Sequence, residues 1–468
     1  MIRIFRVFIP ASVIGLVLSE VLIAFSCYAG ASVLLFELVN ADFSPLVFFE
    51  NDGGALRIAL VVAIIVAGLY FQNLYANFRV QSAMLLVQQL CLAIGGSFLI
   101  QAFLTYLKRP EWAIPKWMMI FGSFLTLMLI PAWRVFYSSV VIKALGTRRV
   151  LFLGTSHTIR EIAAYLNDHA ELGMTNVGFI DNDPEPGDLP GGRLLGPIED
   201  LVGLARDLKP DLVVVGMTER RQELPVNEML HLRFSGVHFE EAPVTFEATF
   251  GRILTRQLRP SRLIFSTELG PKKRSLFWHS LYSIILALVL TAVFVPVMVI
   301  VAILVKLTSR GPIFHRQVRV GLNDSTFTLY KFRSMYADAE AGTGAVWARK
   351  DDPRVTGVGK WIRRLRLDEL PQLLNVLRGE MSLVGPRPER PEFVTSLAEK
   401  IPFYSYRHCV KPGITGWAQI NYKYGDTLED TIIKLEYDLY YIKNLALSLD
   451  TFIIFHTMKV MLFSETAQ

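Results

Sequence analysis

Long apolar segments alternate along the chain with segments of mixed hydrophobic and polar pattern. Four apolar runs come first, and each is near or above the ~20 residues that span the hydrocarbon core of a bilayer. They are roughly Ala11–Leu38, Leu56–Tyr75, Ala83–Leu107 and Trp117–Val141. No small-residue cleavage site precedes the second run, so the first is not a secretory signal. The pattern predicts an integral membrane protein in which residues 1–148 form four transmembrane helices.

Basic residues predict the orientation of these helices. Arg3 and Arg6 precede the first run, and the loop over residues 37–52 is acidic. The positive-inside rule therefore places the amino terminus in the cytoplasm. Four crossings return the chain to that side, where residues 143–149 are basic, although the basic third loop (residues 108–116) favours the opposite orientation.

From Arg149 onwards the pattern changes to alternating strands and helices. "RVLFLGTS" predicts a buried strand that ends in a turn, and "TIREIAAYLND" predicts an amphipathic helix. "NVGFIDND", "DLVVVGM" and "GVHFEEA" predict further strands. This alternation indicates a Rossmann-like α/β domain of parallel type over residues 149–270. Its first turn, at Gly154, lacks the other glycines of a dinucleotide fingerprint, and Asp181 gives only weak support for ribose binding.

A fifth apolar run, residues 281–307, contains Pro296 near its middle. Basic residues flank it on both sides, at 272–274 and 306–319, so both of its ends are predicted to be cytoplasmic. Because proline removes a helix hydrogen bond, we expect a bent, re-entrant helix that enters one leaflet and returns. A fifth full span with a tolerated kink is the alternative, and it would place the rest of the chain outside the cell.

Composition narrows the class of protein. The chain of 468 residues is 52% hydrophobic, with a net charge of +6. Basic cytoplasmic loops account for that charge, so nucleic-acid binding is not expected. The three cysteines have no regular spacing, which excludes a disulfide framework and a zinc cluster.

Charge is densest between residues 331 and 369. The cations there are Lys331, Arg333, Arg354, Lys360, Arg363, Arg364 and Arg366. Attraction to anionic lipid headgroups could explain part of this run, especially the amphipathic "KWIRRLR". It does not explain Asp368 and Glu369 at its end.

Asp368 and Glu369 directly precede Pro371, and proline favours the first turn of a helix. We expect the dipole of that helix to lower both pKa values, and capping by Asp368 is the structural alternative. Two carboxylates among cations also suit phosphoryl transfer. One can attack phosphorus as a nucleophile, while the other binds Mg²⁺ that bridges phosphate oxygens.

Two motifs follow the acidic pair. "VGPRP" predicts a rigid turn in which two prolines aim Arg387, a geometry suited to phosphate but also to a plain surface turn. "KPGITGWAQIN" supplies Gly413 and Gly416 where the backbone must bend or approach a ligand. The final apolar stretch, "LDTFIIFHTMKVMLF", is too short for a confident span and should lie against the membrane or the core.

The carboxy-terminal blocks resemble the bacterial sugar transferases, the monotopic phosphoglycosyl transferases. The resemblance covers about residue 272 to the end and rests on "YKFRSM", "DDPRVTGVGKWIRR", "RLDELPQLLNVLRGEMSLVGPRPE", "VKPGITGWAQI" and "YDLYYIKN". It implies an α/β catalytic module, residues 271–468, with a re-entrant helix broken at Pro296. Val295 replaces the serine common before that proline, and Ser283 stands where an aspartate is common.

The family resemblance also implies a reaction. Such enzymes transfer a sugar 1-phosphate from a UDP-sugar to undecaprenyl phosphate, release UMP and need Mg²⁺. By this likeness Asp368 is the nucleophile that forms a phosphosugar intermediate, and Glu369, with Asp368, holds the metal. The residues implied at the phosphates or nucleotide are Arg387, Lys331, Arg333, Arg354 and Arg316.

The expected protein is therefore a multi-pass enzyme of the bacterial inner membrane whose catalytic module faces the cytoplasm. Like the larger members of the family, it would start exopolysaccharide or O-antigen repeat units. The expected partners are a UDP-sugar, undecaprenyl phosphate and membrane lipids. A non-catalytic scaffold for polysaccharide assembly is the alternative function. The transferred sugar (glucose or galactose by likeness), the ligand of the α/β domain and a homodimeric state are left open.

Overall fold

The structure is a computed structural model. The residues that it describes are 2–4, 7–9, 11–39, 43–72, 74–75, 83–106, 112–141, 147–169, 172–185, 187–217, 224–257, 273–336, 339, 352–422 and 427–463. Contacts between Cα atoms divide the chain into two compact units. The first is residues 9–242 with residues 1–2, and the second is residues 243–468 with residues 3–8.

Long apolar helices form the first part of the chain. After two short strands, β1 (Ile2–Ile4) and β2 (Val7–Ile9), come α1 (Ala11–Leu38), α2 (Pro45–Glu50), α3 (Gly54–Phe71), α4 (Ala83–Tyr106) and α5 (Lys116–Phe136). A π-helical segment, Tyr137–Val141, extends α5. By length and composition, α1, α3, α4 and α5 could cross a membrane. The prediction of several apolar amino-terminal helices is confirmed, whereas the number that cross stays a prediction.

A buried ion pair ties three parts of this helical region together. Arg134 of α5 donates from Nε to Oε1 of Glu20 in α1, at 2.5 Å, and from Nη1 to the carbonyl oxygen of Leu74, at 3.0 Å. The hydroxyl of Tyr75 donates to the other oxygen of Glu20 at 2.7 Å. Charges in an apolar bundle are tolerated when they are paired in this way. The cluster therefore fixes α1 and α5 against the segment that follows α3.

A parallel sheet with helices forms the rest of the first unit. Its elements are β3 (Arg148–Leu153), α6 (His157–Asp168), β4 (Met174–Ile180), β5 (Leu194–Gly196), α7 (Leu201–Leu208), β6 (Leu212–Val215), α8 (Val226–Phe234) and β7 (His238–Glu241). The strand order is β5-β4-β3-β6-β7, and all neighbouring strands are parallel. The α/β prediction is therefore confirmed. Asp181 is buried at the end of β4, where Thr155 Oγ1 donates to it at 2.7 Å.

The second unit contains one long apolar helix and a mixed α/β region. Its helices are α9 (Ala242–Phe250), α10 (Lys273–Thr308), α11 (Gly357–Arg364), α12 (Gln372–Leu377), α13 (Pro391–Lys400), α14 (Trp417–Asn421), α15 (Leu428–Lys443) and α16 (Leu447–Phe463). The strands β8 (Phe314–Val320) and β9 (Thr326–Phe332) pair antiparallel, whereas β10 (Ser382–Val384) and β11 (Gly413–Thr415) pair parallel. Leu449 and Ile453 of α16 are fully buried in its core, so the last apolar stretch packs against the protein as predicted.

Helix α10 continues through Pro296, and it is a fifth helix long and apolar enough to cross a membrane. Both of its ends contact the polar part of the second unit. Near the start, His279 Nε2 lies 3.1 Å from the carbonyl oxygen of Val384. Just after the end, Arg333 donates to the carbonyl oxygens of Ser309 and Arg310 at 2.7 and 2.9 Å. The re-entrant path of this helix stays a prediction.

Residues that follow α9 pack within the second unit. Arg252 Nη1 lies 2.8 Å from Oε2 of Glu436, and the amide of Thr255 donates to Oε1 of the same carboxylate at 3.0 Å. The indole of Trp417 donates to the carbonyl oxygen of Gly251 at 2.7 Å. The domain limits predicted from the sequence stay predictions, but these contacts attach residues 251–255 to α14 and α15.

Candidate active site

The acidic pair lies in a tight turn between α11 and α12. Asp368 and Glu369 belong to a 3₁₀ segment, and both are largely buried, at 9% and 8% exposure. Arg366, just before it, adopts a left-handed conformation with φ of 52°. Helix α12 then begins directly after Pro371, as predicted. No side chain caps α12 within the described residues, so capping does not account for Asp368.

Three cations surround Glu369. Its Oε1 accepts from Lys331 Nζ and from Arg387 Nη2, each at 3.0 Å. Its Oε2 lies 3.7 Å from Nη1 of Arg366. Burial by itself would raise the pKa of Glu369, but the charges of these three residues outweigh burial and hold that pKa well below its usual range. Glu369 is therefore a fixed anion. It links Lys331 of β9, Arg387 and Arg366 through its two carboxylate oxygens.

Asp368 has a different environment from its neighbour. Within the described residues neither of its oxygens takes part in a hydrogen bond or an ion pair. Burial and the charge of Glu369 raise the pKa of Asp368 to about 6, against the lowering effect of Lys331 and nearby arginines. The expectation that a helix dipole lowers both pKa values is wrong for Asp368, because burial and the adjacent carboxylate dominate.

Close backbone contact shapes the turn that carries Arg387. The amide of Gly385 donates to the carbonyl oxygen of Thr415, and the amide of Gly413 donates to that of Pro386, both at 2.9 Å. A Cβ on Gly413 would lie 2.1 Å from the nitrogen of Gly385, and one on Gly416 would lie 2.3 Å from its oxygen. The approach predicted at Gly413 and Gly416 is therefore to the backbone of Gly385.

The buried side chain of Arg407 supports the turn that carries Arg387. Arg407 donates from Nη2 to the carbonyl oxygen of Arg387 at 3.0 Å and from Nη1 to the hydroxyl of Tyr404 at 2.8 Å. Its Nη2 also lies 2.8 Å from Oδ2 of Asp438 in α15. The sequence alone predicts no role for Arg407 or Asp438. The available signal was an acid in the otherwise apolar and aromatic block "YDLYYIKN".

The other predicted phosphate-binding residues have partners of different kinds. The guanidinium of Arg333 is buried against carbonyl oxygens at the carboxyl end of α10. Arg354 Nε donates to Oδ1 of Asp352 at 2.8 Å. Arg316 is exposed on β8, with its guanidinium 5.8 Å from the ring centre of Tyr330.

Three cations therefore contact Glu369, and two of them, Lys331 and Arg387, are among the residues predicted to bind phosphate. Lys331 and Arg387 both contact Glu369, and their predicted role at the phosphates stays a prediction. Arg366 joins them, although its sequence pattern marks it only as one member of a basic run. Arg366 also differs from the other two in its left-handed backbone.

The donor set of the acidic pair suits Mg²⁺. Carboxylate oxygens are the ligands that this ion prefers, and it commonly binds through one or two carboxylates together with substrate phosphates. The described residues contain no group of three or more His, Cys, Asp or Glu side chains that could hold a metal alone. Asp368 and Glu369 therefore fit an ion that is shared with a phosphorylated substrate.

Comparison with known proteins agrees with this arrangement. The family model described as bacterial sugar transferase matches residues 274–464. The UDP-N-acetylgalactosamine-undecaprenyl-phosphate N-acetylgalactosaminephosphotransferase of Aeromonas hydrophila is 51% identical over 179 residues, which are 38% of this chain and 42% of that protein. The undecaprenyl-phosphate glucose phosphotransferase of Komagataeibacter xylinus is 36% identical over 328 residues, 68% of this chain and 60% of that protein.

A third relative aligns over a larger share of its own length. The UDP-glucose:undecaprenyl-phosphate glucose-1-phosphate transferase of Xanthomonas campestris pv. campestris is 33% identical over 351 residues, 71% of this chain and 70% of that protein. The chain spans less than two thirds of the two relatives named before it. The match to the Xanthomonas protein, together with the family model over the region that holds the acidic pair, confirms the resemblance. The chain belongs to the bacterial sugar transferase family.

Proposed function

We propose that the chain transfers a sugar 1-phosphate from a UDP-sugar to undecaprenyl phosphate, forming undecaprenyl-diphosphate-sugar and UMP. The observation that carries this proposal is the unequal environment of two adjacent buried carboxylates. Glu369 is held by three cations, whereas Asp368 has no bonding partner among the described residues and has a pKa of about 6. At neutral pH Asp368 is then mostly ionised and available as a nucleophile.

The proposed reaction proceeds in two displacements at one phosphorus atom. A carboxylate oxygen of Asp368 attacks the β-phosphorus of the UDP-sugar. The bond from that phosphorus to the oxygen bridging the two phosphates breaks, and UMP leaves with the bridging oxygen. The sugar phosphate is then bound to Asp368 as an acyl phosphate. A phosphate oxygen of undecaprenyl phosphate attacks the same phosphorus, the Asp368 oxygen leaves, and the carboxylate is regenerated.

The cations around Glu369 supply the charge that such a donor needs. A diphosphate brings several negative charges, and charge-assisted hydrogen bonds from Lys331 and Arg387 can move from Glu369 to its oxygens. Arg407 holds the backbone carbonyl of Arg387. This bond keeps the side chain of Arg387 close to Glu369. Mg²⁺ held by Glu369 and Asp368 would neutralise further charge on the phosphates.

Contacts of α10 support the proposed membrane topology. A straight helix of its 36 residues would be about 54 Å long at 1.5 Å per residue. Yet His279 near one end and Ser309 beyond the other both bond to the same polar region. We infer that the helix bends at Pro296 and returns to the face that it entered, which would keep the catalytic module on the cytoplasmic face of the inner membrane. UDP-sugars are available on that face, and the reaction would be the first membrane step of exopolysaccharide or O-antigen synthesis.

Covalent labelling tests the proposal. Purified full-length chain would be incubated with Mg²⁺ and a UDP-sugar labelled in the sugar, without undecaprenyl phosphate. UDP-glucose, UDP-galactose and UDP-N-acetylgalactosamine would be tried in turn. We expect wild-type protein to retain label after denaturation and to release one UMP per chain, and Asp368→Asn to do neither. The matched control Asp207→Asn, at an exposed position of α7, should behave as wild type. Label or UMP release by Asp368→Asn at the wild-type level would refute the nucleophile.

A further inference from the structure

The edge of the parallel sheet where its strands begin carries a basic cleft. The cleft has a volume of about 520 Å³. Arg148 at the start of β3, Arg206 and Lys209 at the end of α7, and His238 at the start of β7 contribute to its lining. Among the described lining residues Asp211 is the one acid, and its Oδ2 accepts from the backbone amide of Arg149. The cleft therefore has a surplus of positive charge.

The cations of the cleft are available to an external anion. Within the described residues Arg148, Arg206 and Lys209 form no ion pair or hydrogen bond through their side chains. The carboxyl ends of α7 and α8 lie at this edge, and the dipole of each helix contributes about half a unit of negative charge there. These two ends and Asp211 offset part of the positive charge of the three cations, and a net attraction for anions remains.

The backbone of Lys209, which lines the cleft, is strained. It caps the carboxyl end of α7 with a left-handed φ of 44°, and its amide donates to the carbonyl oxygen of Ala205. Glycine adopts this conformation without steric strain, whereas lysine does not. The end of α7 thus carries a charged side chain where glycine would fit without strain.

An apolar stripe lies beside the cleft on α8. Val226, Leu230 and Phe234 recur every four residues, so they share one face of the helix. They are 57%, 50% and 89% exposed, respectively. Phe234 is in the last turn of α8, three residues after His231, which also lines the cleft. A basic cleft next to exposed apolar side chains is the pattern of surfaces that lie on anionic membranes.

Chain length places this edge near the bilayer. Arg148 follows Val141, the end of the π-helical extension of α5, by seven residues. Seven residues span at most about 25 Å when fully extended. All strands of the sheet are parallel, so β6 and β7 begin at the same edge as β3. The cleft is thus tethered within reach of the headgroups at the end of the last amino-terminal apolar helix.

We propose that this edge of the α/β domain is a docking surface for the anionic phospholipid headgroups of the bilayer. Arg148, Arg206 and Lys209 hold headgroup phosphates, and Phe234 inserts at the level of the headgroups. The domain is thereby held against the membrane. This inference rests on the first unit alone and holds whether or not the proposed transfer reaction is correct.

Hydrogen exchange of the full-length chain in lipid nanodiscs tests the docking. The discs contain either neutral phosphatidylcholine alone or the same lipid with about 30% phosphatidylglycerol. We expect the anionic lipid to slow exchange of amides 204–211 and 230–238 by about fivefold or more, since these segments line the cleft. Arg206→Gln and Lys209→Gly should each lose most of this difference. Lys209→Gly also suits the left-handed backbone, so it guards against loss of folding.

Matched controls distinguish the membrane from a soluble phosphate or a second chain as the occupant of the cleft. Arg193→Gln removes another exposed arginine, which lies just before the edge strand β5 and does not line the cleft, and should keep the full effect of phosphatidylglycerol. Equal exchange in both lipids, or protection that survives both cleft variants, would overturn the proposal. So would equal protection by soluble glycerol phosphate in neutral discs, which would indicate a site for free phosphate. Protection that appears only with two chains per disc would indicate a second copy as the occupant.

Discussion

Arg407 donates a hydrogen bond to the backbone carbonyl of Arg387, 3.0 Å away, so one buried arginine holds in place the residue that contacts Glu369. The charge of Arg407 is balanced by Asp438 in α15. Burial raises the pKa of Asp438 to about 6, against the lowering effect of Arg407. The position of Arg387 therefore depends on a contact between α15 and the segment before β11.

Replacing Arg407 with lysine should lower the rate of transfer. Lysine keeps the charge near Asp438 but cannot reach Tyr404 and Arg387 together, because it lacks the planar fork of guanidinium. We expect kcat/KM for the UDP-sugar to fall about tenfold or more, the loss of roughly one charge-assisted hydrogen bond. UMP release measures the change. Arg390→Lys, before α13, is the control, and an equal loss there would contradict a specific role for Arg407.

The raised pKa of Asp368 gives the reaction an acid limit. Its carboxylate is protonated as the pH falls through about 6, and the protonated form cannot attack phosphorus. UMP release in the first displacement should therefore fall tenfold per pH unit well below that value. Lys331 lowers the pKa of Asp368, so Lys331→Gln should move the limit to higher pH. An acid limit that stays in place in this variant would argue against Asp368 as the titrating group.

A buried network behind β10 should make stability depend on pH. The hydroxyl of Tyr441 donates to Oδ1 of Asp450 at 2.7 Å, and His279 Nε2 lies 3.5 Å from Oδ2. Burial raises the pKa of Asp450 from 3.8 to about 7. The folded state then binds this proton more tightly than the unfolded state, so the contribution is present below about pH 4 and is lost as pH rises through 7.

Asp450→Asn tests that dependence, because asparagine cannot ionise. We expect the unfolding temperature in detergent to fall from pH 5 to pH 8 for wild type, and to fall several degrees less for Asp450→Asn. Asp438 has a raised pKa of the same sign, so the difference between variant and wild type is the quantity to compare. Identical slopes for the two proteins would exclude Asp450 as the source.

Truncations should reveal the role of residues 243–257. A fragment that starts at Lys272 loses Arg252 and Thr255, which both bond to the buried carboxylate of Glu436. Leaving such a group without its partners costs about 3–5 kcal/mol. A fragment that starts at Pro243 should therefore unfold at a clearly higher temperature and retain more UMP release. Equal stability of the two fragments would mean that these contacts contribute little.

Local patterns predicted much of the fold and the centre of the candidate site. Apolar runs of ~20 residues and alternating apolar strands identify the helices and the parallel sheet, because burial and backbone bonding act over short stretches. Asp368, Glu369 and Arg387 can be identified as candidate site residues because each is a charged residue within three positions of a proline. Each of these signals lies within a few neighbouring residues.

Contacts between distant segments could not be predicted in the same way. Glu20 and Arg134 are 114 residues apart, and nothing near either residue indicates its partner. Arg366 differs from the other arginines of its run by a left-handed backbone, which side-chain patterns do not report. Arg333 shares the basic run but bonds to the end of α10, since carbonyl oxygens left open there need a donor.

Both ends of α10 are attached to one module. This attachment affects how the module would encounter the acceptor lipid. On the proposed re-entrant path, attachment at both ends would hold the module, and with it Asp368, at the membrane surface. Encounters would then follow the surface density of the lipid carrier, and dilution by detergent would slow the second displacement while leaving the first unchanged.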